Sequence, residues 1–179
     1  MGWIEASRDA HWIGALYRQT NLLEGTALKH WALDRLAKQV PFSAAVWCTR
    51  RNDSDRLTAI AAGGLPAAAL EPLLTLGARL WVKPRNARDE HAATIAQFDL
   101  AGLADAHAQA AELRRQKLAQ AFVALCPQPG TLFTTVLCLL RRSTDSPFSY
   151  HESDRLRGLL PHLADAETLE LEQRIGLDQ

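Results

Sequence analysis

Three cysteines and six histidines are the side chains of this chain best suited to covalent or metal chemistry. Cys48, Cys126 and Cys138 are odd in number and include no CxxC pair, which argues against a disulfide framework and against a zinc module. All three fall in stretches read as strands, where a thiol packs as a small hydrophobe. The competing reading, a small redox enzyme using Cys126 and Cys138, requires the exposed electropositive setting that produces a thiolate. His11, His30, His91, His107, His151 and His162 are dispersed, without the HxxxH or HExxH spacing that sets two imidazoles on one helix face, so no metal site is expected. His162 follows Pro161 and is read as the partner of a carbonyl freed by that proline. No GxSxG, Walker-type glycine loop or paired carboxylates occur, and Gly63-Gly64 marks a turn. Neither an enzymatic activity nor a cofactor is expected. Arg85, Arg88, Arg114, Arg115 and Lys117 are interleaved with Asp89, Glu90 and Glu112, the pattern of a solvated face rather than a phosphate cradle.

The aromatic residues offer binding instead of reaction. Along Phe42 to Arg50 the side chains alternate, with Phe42, Ala44, Val46 and Cys48 forming an apolar row suited to packing under helices and Ala45, Trp47 and Thr49 facing the other way. Trp81 and Phe98 flank an irregular middle segment. The expectation is a cavity between the sheet and the covering segment Ala67 to Gln120, lined by Trp47, Thr49 and Trp81 with Phe98 nearby, for a small aromatic or aliphatic effector. The alternative is that these aromatics are core.

The elements that must position these residues follow from periodicity. Helical spacing runs over Ile4 to Leu23 and Ala27 to Val40, where Pro41 ends it. Phe42 to Arg50 and Leu57 to Ala62 read as a hairpin, Ala67 to Leu80 as a short helix, Val82 to Asp89 as a loop, and His91 to Phe98 as a strand or a helix. Leu103 to Gln120 is expected to be helical. Phe122 to Cys126 and Thr131 to Arg142 form a second hairpin across Pro127-Gln128-Pro129-Gly130. Ser149-Tyr150-His151-Glu152 has capping-box spacing, opening a long helix whose stripe is Leu156, Leu159, Leu160, Leu163 and Ala166, with Pro161 inside it. The sum is an α+β domain built on an antiparallel sheet.

Size and charge narrow the function. At about 150 residues per domain, 179 residues make one domain. Twenty basic residues balance twenty acidic ones, so the electrostatic footprint of a nucleic-acid binder is missing and no DNA binding by this chain alone is expected. No apolar run is long enough to cross a bilayer and no leader-like start is seen, so a cytoplasmic protein is expected.

Two stretches carry a resemblance. Leu28 to Leu36, running into Val40-Pro41-Phe42-Ser43-Ala44-Ala45-Val46-Trp47, is similar to the helix-into-first-strand region of the GAF/PAS-like sensor domains of LuxR-type transcriptional regulators. Thr135 to Arg142, then Pro147-Phe148-Ser149 and Asp154 to Leu163 with its Leu-Leu-Pro-His-Leu, resembles the end of the same domain. The resemblance implies one GAF/PAS-like sensory domain over 1–179, with an N-terminal helix over 1–25 and a long C-terminal helix packed on one face of the sheet. It implies a helical tail over 165–179 leading toward a helix-turn-helix domain, expected to be missing from this chain. The Trp/Tyr spacing and Asp-Pro typical of lactone-binding members are not found, so a lactone effector is not expected. The implied function is to bind a small molecule or relay a signal, the alternative being a ligand-free dimerisation module. The tail's apolar residues, Leu169, Leu171 and Ile175, are expected to form a homodimer interface.

Overall fold

A computed structural model describes residues 2–54, 56–80, 93–128 and 130–177, with side chains between residues 7 and 174 of these. Trp81 and the expected loop Val82 to Asp89 lie outside the described residues. The chain folds as α1 (Gly2–Gln19), α2 (Thr26–Leu36), β1 (Ala44–Arg51), β2 (Leu57–Gly63), a 3-10 turn at Ala67–Ala69, α3 (Leu70–Leu80), β3 (Thr94–Asp99), α4 (Leu100–Leu103), α5 (Ala108–Arg115), β4 (Leu118–Pro127), β5 (Phe133–Arg142) and α6 (Tyr150–Leu177).

The strands form one antiparallel sheet in the order β2-β1-β5-β4-β3. Side chains alternate across a sheet, so each strand feeds two cores. Ala45 and Trp47 of β1, Phe122, Ala124 and Cys126 of β4, and Leu137 and Leu139 of β5 pack with α1, α2 and α6. Val46 and Cys48, Val123 and Leu125, and Val136 and Cys138 pack with α3, α4 and α5 on the opposite face. This is the α+β architecture with the first and last helices on one face.

The helix expected over Leu103 to Gln120 is divided. Lys117, at φ +63, turns the chain out of α5, and Leu118 to Gln120 joins β4 opposite Arg142 and Arg141. Of the stretch expected as a strand or a helix over His91 to Phe98, the described part is a strand, Thr94–Asp99, and His91 lies outside the described residues. The capping box forms: the Glu152 N–H donates to Ser149 Oγ at 3.2 Å, and the Ser149 N–H donates to Glu152 Oε2 at 2.8 Å. Glu152 also takes the buried Arg141 guanidinium at 2.7 Å. Burial acts to raise the Glu152 pKa, but Arg141 and the Ser149 donors outweigh it and hold the carboxyl below its ordinary value. Arg141 donates as well to the carbonyls of Pro41, Ser146 and Pro147, so one side chain joins the approach to β1, the end of β5 and the start of α6. α6 runs unbroken through Pro161. Among the described residues His162 bonds no freed carbonyl; its Nδ1 lies 3.1 Å from the Tyr17 hydroxyl of α1, because its side chain points to the neighbouring helix.

At the end of β2, Gly64 has φ +65, and a Cβ there would overlap the Ser43 carbonyl oxygen. Gly64→Ala therefore combines left-handed strain with a backbone clash. It should lower unfolding free energy by at least about 1–2 kcal/mol, read as a lower urea midpoint with an unchanged slope.

Candidate functional site

Trp47 and Thr49 are fully buried, and both reach for the same carboxylate. Trp47 Nε1–H donates to Glu167 Oε2 at 3.3 Å, and the Thr49 hydroxyl donates to Glu167 Oε1. Gln128 Nε2–H, at 3.1 Å, and the Thr135 hydroxyl complete the set on Oε2. The counter-charge is Lys29, whose Nζ lies 2.5 Å from Glu167 Oε1; both side chains are 3% exposed. Lys29 also donates to Thr49 Oγ1 at 3.0 Å and to the Ala59 carbonyl at 2.9 Å, and it sits 5.6 Å from the centre of the Trp47 ring. Gln128 Oε1 is buried without a partner among the described residues.

Local structure explains why a cation and an anion meet here. Lys29 shares the buried stripe of α2 with Ala32, Leu33 and Leu36, so the helix period drives it into the sheet. Continuing the α6 stripe Leu156, Leu160, Leu163 by three and four residues lands on Glu167 and Glu170, both buried. Across from them the β1–β2 register slips, with Trp47 opposite Ala61 and Thr49 opposite Thr58, so two residues of β2 face one of β1. Ala59, in that bulge, has φ +48, and its carbonyl is the one that accepts from Lys29. Glu170 accepts the Gly25 N–H at 2.8 Å, holding the start of α2. Sequence reasoning missed Lys29, Gln128, Thr135, Glu167 and Glu170; the signal for three of them was a charge at a buried stripe position.

Phe98 stands on the other face. With Leu76, Leu80, Leu100, Ala121 and Val123 it walls an apolar chamber of about 20 Å³ between α3 and the sheet. Trp47 and Phe98 thus cannot line one cavity, as was expected. Strand alternation gave Trp47 the correct parity, but α3, α4 and α5 of the expected covering segment pack on the opposite row, Ala44, Val46 and Cys48. Leu169 is exposed, and Leu171 borders an open cleft of about 580 Å³ with Gly25, Thr49, Thr58, Ala59 and Arg174. The Ile175 side chain lies outside the described residues.

The thiols are packed, not poised. Burial pushes Cys48 and Cys138 up to about 12 and Cys126 up to about 11. Cys126 and Cys138 occupy opposite faces of the sheet, so they cannot act as a pair. Glu167 is taken up by four hydrogen-bond donors and one ammonium, and so clamps α6 to the sheet.

No family model and no curated protein sequence matches the chain. Solved structures do. SdiA from Escherichia coli superposes with a TM-score of 0.62 at 13% identity, over 91% of this chain and 67% of that one. SdiA in complex with octanoyl-rac-glycerol gives 0.61 at 13% identity, over 91% of this chain and 66% of that one. CepR2 from Burkholderia cenocepacia, an N-acylhomoserine lactone-dependent LuxR family transcription factor, gives 0.58 at 15%, over 94% and 99%. The GAF domain of a sensor histidine kinase from Pseudomonas syringae pv. tomato gives 0.55 at 15% and spans both chains completely. The fold is GAF-like. The GAF-like fold expected from the two flanking stretches is therefore present, and it includes the described part of the chain between them.

Removing one half of the buried pair strands the other. Glu167→Leu or Lys29→Met alone should cost about 3–5 kcal/mol, while the double change Lys29→Met/Glu167→Leu should recover a large part of that loss. Urea denaturation of the four proteins measures the coupling.

Proposed function

We propose that the chain is the sensory domain of a transcriptional regulator, taking a small, mainly apolar effector between α3 and the sheet and passing the signal along α6 to a DNA-binding domain. The observation that carries this reading is a pair of consecutive residues on β3. Phe98 walls the chamber, and Gln97, pointing through to the other face, donates to the Ser153 hydroxyl of α6. An effector that moves Phe98 moves the strand that holds α6. The apolar lining suits an acyl or aryl body, and the similarity to CepR2 and to SdiA, captured with octanoyl-rac-glycerol, supports a small-molecule role. On this reading the domain is non-enzymatic and works in the cytoplasm; no helix among the described residues is long and apolar enough to cross a membrane.

A ligand-free dimerisation module is the second reading, and the chamber's size favours it. About 20 Å³ holds little more than one water, so an effector must part α3 from the sheet. Octanoyl-rac-glycerol should give a one-to-one complex in native mass spectrometry and raise Tm. Phe98→Ala should change its affinity about tenfold, corresponding to roughly 1.4 kcal/mol. Gln97→Ala should leave binding intact but remove the ligand-induced slowing of amide exchange around Ser153. Absence of both complex and shift would support the ligand-free module.

In either reading the end of α6 pairs two copies through Leu169, Leu171 and Ile175. Leu169 is 38% exposed and free to change without touching Glu167. Leu169→Glu should convert a dimer to a monomer in light scattering, with secondary structure unchanged.

A further inference from the structure

A second cleft lies on the face of the sheet away from the α3 chamber, between α1 and α2. It encloses about 410 Å³, and its walls include Arg8, His11, Trp12, Trp31, Arg35 and Lys38. No aspartate or glutamate is among the described residues that line it. In a chain whose charges cancel overall, three permanent cations and a histidine are gathered in one place. Among the described side chains none of these cations has an ion-pair partner within 4 Å, whereas the α1 carboxylate Asp9 is already taken by Arg155 at 2.6 Å.

The aromatic groups add shape to this charge. The Arg35 guanidinium lies 5.3 Å from the centre of the Trp31 ring, which holds its planar fork over an apolar surface. A guanidinium fixed in this way presents parallel N–H donors that match the two oxygens of an oxyanion. Trp12 is 5% exposed, and its indole N–H is buried with no acceptor among the described residues. A buried donor without an acceptor is rare in a folded protein.

We infer that the α1–α2 cleft is a binding site for a small oxyanion carried on a flat ring, a carboxylate or a phosphate. Arg35 and Lys38 take the charge, Trp31 and Trp12 flank the ring, and the Trp12 N–H gains an oxygen acceptor. The volume fits one or two fused rings. The site shares no residue with the α3 chamber, so it stands or falls independently of the effector reading.

The test uses the intact chain, labelled with nitrogen-15, titrated with 2-naphthoate, its uncharged amide 2-naphthamide, adenosine monophosphate and inorganic phosphate. The Trp12 and Trp31 indole signals, assigned with Trp12→Phe and Trp31→Phe, should move with 2-naphthoate or adenosine monophosphate in a salt-sensitive way and stay in place with 2-naphthamide. A stronger response to the nucleotide than to naphthoate would identify phosphate as the preferred head group. Arg35→Gln/Lys38→Gln, two exposed positions that leave the core untouched, should weaken binding at least about tenfold, whereas Arg174→Gln, an exposed cation elsewhere, should not. Equal response to acid and amide, indifference to the Arg35 and Lys38 changes, or unmoved indole signals at millimolar ligand would overturn the assignment.

Discussion

A carboxylate removed from water at the middle of a helix–sheet interface constrains this molecule more than any apolar contact. Glu167 would cost several kcal/mol to bury alone. It is accommodated because α2 supplies Lys29, β1 supplies Trp47 and Thr49, β5 supplies Thr135, and the β4–β5 connection supplies Gln128. These donors come from four separate parts of the chain, so α6 docks in one register and one rotation only. A slide of a single turn would bring Leu163 to the donors and leave both Lys29 and Glu167 uncompensated. Leucines alone would hold α6 on the sheet; the polar cluster determines where.

The same requirement explains local irregularities that would otherwise be defects. A bulge in an edge hairpin and an alanine at positive φ are unfavourable by themselves. Here they turn the Ala59 carbonyl toward the Lys29 ammonium, whose three protons then all find partners: Glu167, Thr49 and Ala59. Sheet parity links this cluster to the other side of the molecule. Along the middle of β1, β4 and β5, residues that pack toward α2 and α6 alternate with residues that pack toward α3, so the two faces share the same strands.

Much of this was legible in the sequence, within limits that have a physical origin. Capping chemistry is local, and the Ser149–Glu152 box was readable as such. Strand alternation is also local, and it correctly separated Trp47 from Val46. What alternation cannot tell is which helices lie over which row, because that depends on connections tens of residues long; Trp47 and Phe98 were therefore grouped although the sheet divides them. The Leu103 to Gln120 stretch misled because alanine-rich sequence favours helix until pairing with β5 decides otherwise. Glu167 and Lys29 escaped because a charge on an apolar stripe reads as the end of the stripe, when it can equally be half of a pair.

α6 is held at two stations. Near its start Glu152 is gripped by Arg141, and fifteen residues later, about 22 Å along the axis, Glu167 is gripped by the sheet. Between them lies Pro161, which cannot donate to the carbonyl one turn back, and beside it the Tyr17–His162 bond couples the helix to α1. A beam fastened at two points and softest between them cannot slide along its axis; it bows. Were Ser153 displaced, a helix held in this way would answer by tilting about its grip at Glu167 rather than by sliding.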